Sequence, residues 1–476
     1  MISVPNPRQP LSGNNIFLNF LIGSFLLLSA ACSSSRSVAS VTSTPISDFA
    51  NQSRILVGKL DTLPVIPAPS DGLLPIQSDE VAKEFPSDQI HIAKGRLTKD
   101  VILKIGFVLP FLNDNISLGG QGDINNSVSR WAIHYYTGAK LALEKWKNKG
   151  VSFESVVWDS GPDTVSLQKR VLDDNRFLDV PLIIGPYHRY NIKYLANYAK
   201  NSGVLLFSPF SAAQNLTEDN PFFYQANPTI ETQISAIVDH VNQYARTEDI
   251  LILQKDSDAK LNELFLASFL SKGKQEDGGL PKALLLSANV SNWAKNLLPE
   301  LQKREKLVII LSSYSDEVFL NNLMQELNRE SFDKKEIIVY GLSPWLNLEK
   351  VDFQLLDMLN FHVSSPYHIN TGNSEVREFQ QNFYQELGVF PQPEAFQAFD
   401  LVNLLFENWI KKGDFFQEDL DSFESTQFLS APYQFRKVKT STDDIEKWQL
   451  NRNQNVMILS FQIYINDIIH CNLLFF

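Results

Sequence analysis

Residues Val204 to Thr217, VLLFSPFSAAQNLT, decide how the rest of the chain is read. Val204, Leu205, Leu206 and Phe207 form an uninterrupted apolar run, the composition of a strand covered on both faces in a parallel sheet. The run stops at Ser208-Pro209, and Phe210, Ser211 and Ala212 follow, so hydroxyls and accessible backbone N–H groups stand where the strand ends. In open α/β sheets ligands bind at that edge. Just upstream, Val180 to Ile184 ends the same way at Gly185-Pro186, which puts two strand ends beside one crevice. An ordinary βα turn with a serine N-cap has the same composition, and this stretch alone leaves both readings open.

Working outward, strands alternate with helices. Val101 to Phe111 reads as a buried strand, Trp131 to Lys149 as a helix stopped by Gly150, and Ser152 to Ser160 as the next strand. Pro162 to Asp174 and His188 to Asn201 have helical periodicity, the second closed by Gly203. After Asn227-Pro228-Thr229, a break and an N-cap, a helix runs from Ile230 to Ala245 and a second series begins. Its strands are Asp249 to Leu253, Leu280 to Ala288, Leu307 to Leu311 and Glu336 to Tyr340. Its helices are Leu261 to Ser271, Trp293 to Lys303 and Asp316 to Arg329. Two successive βα series predict an α/β fold of two lobes, each a mostly parallel sheet flanked by helices, with a cleft between them. Leu359 to Pro366 is expected to return the chain towards the first lobe before helices Ser374 to Leu387 and Phe396 to Lys412. The expected division is 1–31 signal, 32–100 tether, 101–229 first part of lobe one, 230–345 lobe two, and 346–476 crossover and return segments completing the lobes.

The first hundred residues follow a different grammar. Ile16 to Ala31 is apolar yet short for a spanning helix and follows a polar segment whose one cation is Arg8, the pattern of a signal peptide. Ser29, Ala30 and Ala31 then precede Cys32. This resembles a bacterial lipoprotein box, in which the cysteine becomes the lipidated first residue; Leu28 stands one place farther from the cysteine than usual. The alternative is an ordinary cleaved signal with Cys32 incidental. Serine, threonine and proline in SSSRSVASVTSTP and VIPAPSDGLLP suit an extended tether rather than a packed element. At the other end, Ile465 to Phe476 is apolar, unlike an exposed tail, which a truncated or altered reading frame would explain.

Composition narrows the function classes. The 476 residues carry a formal net charge of −12, which argues against a nucleic-acid partner. Two cysteines, Cys32 and Cys471, make no disulfide framework. The seven histidines form no HExxH or HxH pattern, and there is no GxSxG elbow or Walker lysine motif, so neither catalysis nor a metal or other cofactor is expected.

The ensemble GFVLPF, TGAKLALEKW, IIGP, SPFSAAQNLT, FFYQANPT and PEAFQAFDLVNLLFENWIKKG resembles the type I periplasmic-binding family, more narrowly its branched-chain amino-acid-binding receptors, from Val101 to about Gly413. The resemblance implies a small polar ligand, amino-acid- or peptide-like, held between lobes and passed to an ABC-type permease. It implies that the loop after the third strand and the loop after the fourth supply the ligand's hydroxyl and N–H partners. Here these are Tyr187 to Asn191, with Arg189 where the family usually has a serine, and Ser208 to Ala213, with Ala212 in place of a threonine. Tyr314 and Trp345 occupy the corresponding region of lobe two. Chemically, Arg189 suits a carboxylate, Tyr187 and Trp345 suit stacking, and Ser208 and Ser211 suit an anion at a helix N-terminus. Arg189 equally suits a solvated position beside the cap, and Tyr187 and Trp345 equally suit packing. The second function class is an outer-membrane lipoprotein using the same body to bind a protein of cell-wall synthesis, with Phe210, Tyr187 and Trp345 filling the cleft.

Overall fold

The computed structural model describes residues 102–113, 127–214, 216–217, 219–255, 258–272, 279–286, 293–313, 316–329, 336–347, 356–357, 359–412, 420, 428–439, 448–453, 456–464 and 468–474. The signal and tether expectations, Cys32 and Tyr314 lie outside these residues.

Two seven-stranded sheets organise the chain. The first contains β1 (Leu103–Leu109), β2 (Phe153–Asp159), β3 (Leu182–Ile184), β4 (Leu205–Ser208) and β5 (Phe223–Gln225). The second contains β6 (Ile250–Lys255), β7 (Lys282–Leu286), β8 (Lys306–Leu311), β9 (Glu336–Gly341) and β10 (Phe361–Ser365). Late strands β11 (Phe435–Lys439) and β12 (Trp448–Asn453) extend the first sheet, and β13 (Met457–Tyr464) and β14 (Ile468–Leu474) extend the second. The strand orders are β11-β12-β5-β4-β3-β1-β2 and β14-β13-β10-β9-β8-β6-β7. Within each, the first five strands are parallel and share one topology, second-first-third-fourth-fifth, so the fold is the expected α/β pair of mostly parallel sheets.

Side-chain alternation explains the layers of the first sheet. Ile105, Phe107, Leu182, Ile184, Leu205 and Phe207 point to one face, where α1 (Ser127–Asn148) and α9 (Pro393–Lys412) cover them. Val108, Ile183, Val204 and Leu206 point to the other face, towards α3 (Arg189–Ser202). Burying each such side chain contributes about 1.5–3 kcal/mol. Helix α1 meets α9 closely at Gly138, where a Cβ would lie 2.0 Å from the carbonyl oxygen of Ala395. Around the second sheet, α4 (Ile230–Tyr244), α5 (Ala259–Lys272), α6 (Trp293–Gln302) and α7 (Glu317–Arg329) close one continuous core. The expected N-cap is in place: the Thr229 hydroxyl accepts from the Thr232 amide at 3.2 Å.

Two sequence expectations are revised. Pro162 to Asp174 is not one helix: α2 (Thr164–Leu167), capped by Asp163, passes directly into a π-turn at Gln168–Leu172. Leu359 to Pro366 does not leave the second lobe, because Phe361 and Val363 are buried in its core and the segment pairs with β9 as β10. The return follows Ser365 and leads into α8 (Ser374–Leu387). The apolar terminal pattern also finds a place, since β14 pairs antiparallel with β13 at the edge of the second sheet.

Candidate functional site

The loops after β3 and β4 are adjacent because the strands are: Ile184 sits beside Phe207, and the Gly185 amide donates to the Phe207 carbonyl at 2.9 Å. Gly185 is needed here. Its φ is +127°, and a Cβ would stand 2.0 Å from the Val108 carbonyl oxygen at the end of β1. The β1 exit is fixed from the other side by Asp159 at the end of β2, which accepts from the amides of Leu112 at 3.1 Å and Asn113 at 2.9 Å and pairs with Arg170 at 2.9 Å.

The loop after β4 is held by its downstream neighbours. Gln225 at the end of β5 donates through Nε2 to the carbonyls of Ser211 (2.7 Å) and Ala213 (3.0 Å). Asn227, in the segment leading to the second sheet, donates to the Phe210 carbonyl at 2.7 Å. The Ser211 hydroxyl accepts from the Ala213 amide at 3.2 Å, so it serves its own turn.

An aromatic wall results. The Phe210 and Tyr187 rings stack with centroids 3.8 Å apart and 23° between planes. Trp131 of α1 meets Tyr187 edge-on at 5.0 Å and Phe210 at 5.4 Å, and itself stacks on Tyr135 at 4.9 Å. In the same lobe the Tyr187 and Tyr135 hydroxyls, the Ser208 hydroxyl and the Asn191 amide are buried with no hydrogen-bond partner among the described residues. Glu394, in the first turn of α9, is half-buried, and burial pushes its carboxyl up to about 7 against the opposing pull of its own backbone N–H and Arg130. Burial raises the phenols of Tyr187 and Tyr367, and the charge of Glu394 adds to both, so loop, return segment and α9 share one electrostatic environment. Burial lowers the neighbouring imidazole of His188.

The predicted residues therefore have different fates. Tyr187 and Phe210 come together, Ser211 and Ala212 lie half-buried beside them, and Ser208 is wholly enclosed. Arg189 is exposed in the first turn of α3. Trp345 enters the core of the second lobe, its indole N–H donating to the Ser313 carbonyl at 3.1 Å and its ring lying against Gly341. The sequence reading missed Trp131, Arg130, Tyr367 and Glu394. A carboxylate directly after the N1 proline of α9 was the one available signal for Glu394, since first-turn acids answer the helix dipole and ordinarily sit in water.

Several solved structures share this fold. A branched-chain amino acid ABC transporter periplasmic ligand-binding protein from Burkholderia xenovorans aligns at 13% identity over 78% of this chain and 94% of its own, with a TM-score of 0.53. A putative branched-chain amino acid ABC transporter from Rhodospirillum rubrum aligns at 13% identity over 78% and 100%, with a TM-score of 0.56. An ABC transporter substrate-binding protein from Desulfitobacterium hafniense in complex with Leu aligns at 13% over 78% and 100%, with a TM-score of 0.50. No curated protein sequence matches the chain. Residues 136–407, more than half of the 476, match the model of the receptor family ligand binding region, and the chain belongs to that family, of the type I periplasmic-binding kind.

Proposed function

We propose that the chain is an extracytoplasmic receptor that closes two lobes on a small amino-acid- or peptide-like ligand and presents it to an ABC-type permease. The observation that supports this is the pair of βα loops fixed side by side at the carboxyl edge of the first sheet, with an aromatic face of half-buried Phe210 backed by buried Tyr187. Such a face favours a ligand carrying a planar or apolar side chain over a small aliphatic one. Glu394 and the tyrosines near it suit the ligand's ammonium or amide groups, while half-buried Arg130, whose charge acts on Glu394, suits its carboxylate.

The test is a thermal-shift screen of free amino acids, dipeptides and cell-wall fragments. A ligand at a hundred times its Kd stabilises by about 2.7 kcal/mol. Tyr187→Ala and Phe210→Ala should abolish the shift given by a genuine cleft ligand, and an undiminished shift in both variants would move the site elsewhere. The same reading places the protein on the periplasmic side of the cell envelope, anchored through lipid on Cys32. Cys32→Ser should then release it from the membrane fraction with its fold intact; membrane attachment at normal signal processing would remove the anchor.

A second reading, a lipoprotein that binds and regulates a cell-wall synthesis protein, is favoured by the 3.8 Å stacking of Tyr187 on Phe210, which leaves no room for a ligand ring between them. A screen with no small-molecule shift, together with capture of the purified partner enzyme, would support it over the first.

A further inference from the structure

Where the chain passes between the sheets, a cavity of about 410 Å³ opens on the side of α4. That volume falls in the range of small-molecule sites, about 300–1,000 Å³. It is separate from the aromatic wall and shares none of that wall's residues. One side is α4, whose opposite face packs in the second core and which presents Asp239, His240 and Gln243 here. The other side comes from the return segment with His368 and Asn370, from α8 with Val376, and from the Phe428 to Pro432 loop. Met457 and Ile458, at the start of β13, complete an apolar floor.

These walls are fixed without an occupant. Asp400, buried in α9, accepts from the amides of Leu429 and Ser430 at 2.8 Å each and from the Ser430 hydroxyl at 2.6 Å. The His368 amide in turn donates to the Ser430 carbonyl at 2.8 Å, tying the return segment to that loop. His240 Nδ1 bonds the Tyr340 hydroxyl at 2.7 Å, which sets its ring. Asn373 caps α8 by accepting from the Glu375 amide at 2.8 Å.

The lining also selects for charge. Among the described residues, it includes one carboxylate, Asp239, and no lysine or arginine. Lys272, the cation beside it, is paired with Asp239 and the Ser235 hydroxyl. Burial, and secondarily the charge of His362, lowers His240 to about 4, and burial lowers His368, so at neutral pH both imidazoles are uncharged. An anion would find no lysine or arginine in the lining, since Lys272 beside it is already paired with Asp239. A neutral or cationic group meets the imidazoles of His240 and His368 and the Asn370 and Gln243 amides, with the Lys272-paired Asp239 at the rim.

We propose that this cavity is a second binding site, for a small neutral or cationic molecule with an apolar or aromatic body and an amide- or amidine-like head, whose occupant touches both lobes at their hinge. The body would lie over Val376, Phe428, Met457 and Ile458, and the head would face His240 and His368. Because the walls belong to different lobes, an occupant that fits one lobe angle biases that angle.

Fluorine NMR of para-fluorobenzamide, para-fluorobenzamidine and para-fluorobenzoate, three near-isosteres differing in charge, tests it on the purified protein. The amide and the amidine should bind at millimolar concentration and the benzoate should not. Ala236→Trp, on the half-buried cavity face of α4, and Gln243→Trp, at an exposed rim position that tolerates substitution, should each weaken binding by about tenfold or more. Phe210→Ala should leave it unchanged, which separates this site from the cleft. The proposal is overturned if the wild type binds neither amide nor amidine, if benzoate binds as tightly as they do, or if the folded Gln243→Trp protein keeps wild-type affinity. Loss of binding in Phe210→Ala alone would place the probes in the cleft and overturn it equally.

Discussion

Replacing Glu394 by Gln isolates the electrostatic cost at the head of α9. Burial pushes this carboxyl from 4.5 up to about 7. A group whose folded-state pKa is raised holds its proton longer in the native state, so stability falls as pH rises from about 4.5 to about 7 and the loss is complete above that. At about 1.4 kcal/mol per pH unit, the full cost is at most about 3 kcal/mol. Gln keeps the shape and the carbonyl acceptor but cannot ionise. The variant should exceed the wild type by less than about 1 kcal/mol near pH 5 and by up to about 3 kcal/mol at pH 8; at roughly 2–4 °C per kcal/mol the gap grows to several degrees in Tm. His134, lowered to about 4 by burial and then by Arg130, also titrates, but it is common to both proteins and cancels in the difference. Denaturant or thermal unfolding at a series of pH values between 5 and 8 measures it. Parallel stability profiles across that range would refute the assignment of a half-buried, proton-holding Glu394.

Asp400→Ala should orphan the Leu429 and Ser430 amides, each costing about 1–3 kcal/mol, and should appear as faster hydrogen exchange and protease cleavage confined first to residues 428–432. Gly138→Ala drives a methyl into the Ala395 carbonyl and should lose stability at the upper end of about 1–3 kcal/mol, read from the denaturant midpoint at unchanged m. Trp345→Phe removes the donor to the Ser313 carbonyl and should cost about 1–3 kcal/mol without altering binding to the cleft of lobe one. Phe210→Ala, at a half-buried position, should cost less than the roughly 3–5 kcal/mol of a core Phe truncation, seen as a lowered Tm in the absence of ligand.

Most of the fold was legible because parallel strands announce themselves locally. VLLF, PLII and LVIIL are buried on both faces and carry no polar interruption, and Gly203 and Thr229 stop and start helices by backbone chemistry that does not depend on tertiary context. Phe361 to Ser365 escaped because five residues with one histidine resemble a connector until their neighbour β9 is known. The site was less legible. Placing Tyr187 against Phe210 needed only the adjacency of two loops, which the strand order supplies. Trp131 and Glu394 reach the same place from helices that begin far away in sequence, and no local pattern reports which first turn of a helix will be covered by another lobe element.

The two lobes repeat one another beyond their strand order. Ser208-Pro209-Phe210 follows the fourth strand of the first sheet, and Ser343-Pro344-Trp345 follows the fourth strand of the second. In each lobe the aromatic residue turns towards the loop after the third strand: Phe210 meets Tyr187 there, and Trp345 donates to Ser313 there. A contact that recurs at equivalent places serves the fold first, since it fastens neighbouring βα loops whose strands are only three to six residues long. The lobes then diverge in a way that bears on function. Trp345 is 3% exposed and closed over by its own core, so its lobe offers no aromatic face at that point. Phe210 stays half-buried, and elsewhere in the same lobe the Tyr187, Tyr135 and Ser208 hydroxyls and the Asn191 amide are buried without partners among the described residues. Leaving such groups unanswered costs free energy comparable to a lost hydrogen bond each. The first lobe carries that cost together with a half-buried Phe210, whereas the second encloses its aromatic residue at the equivalent place.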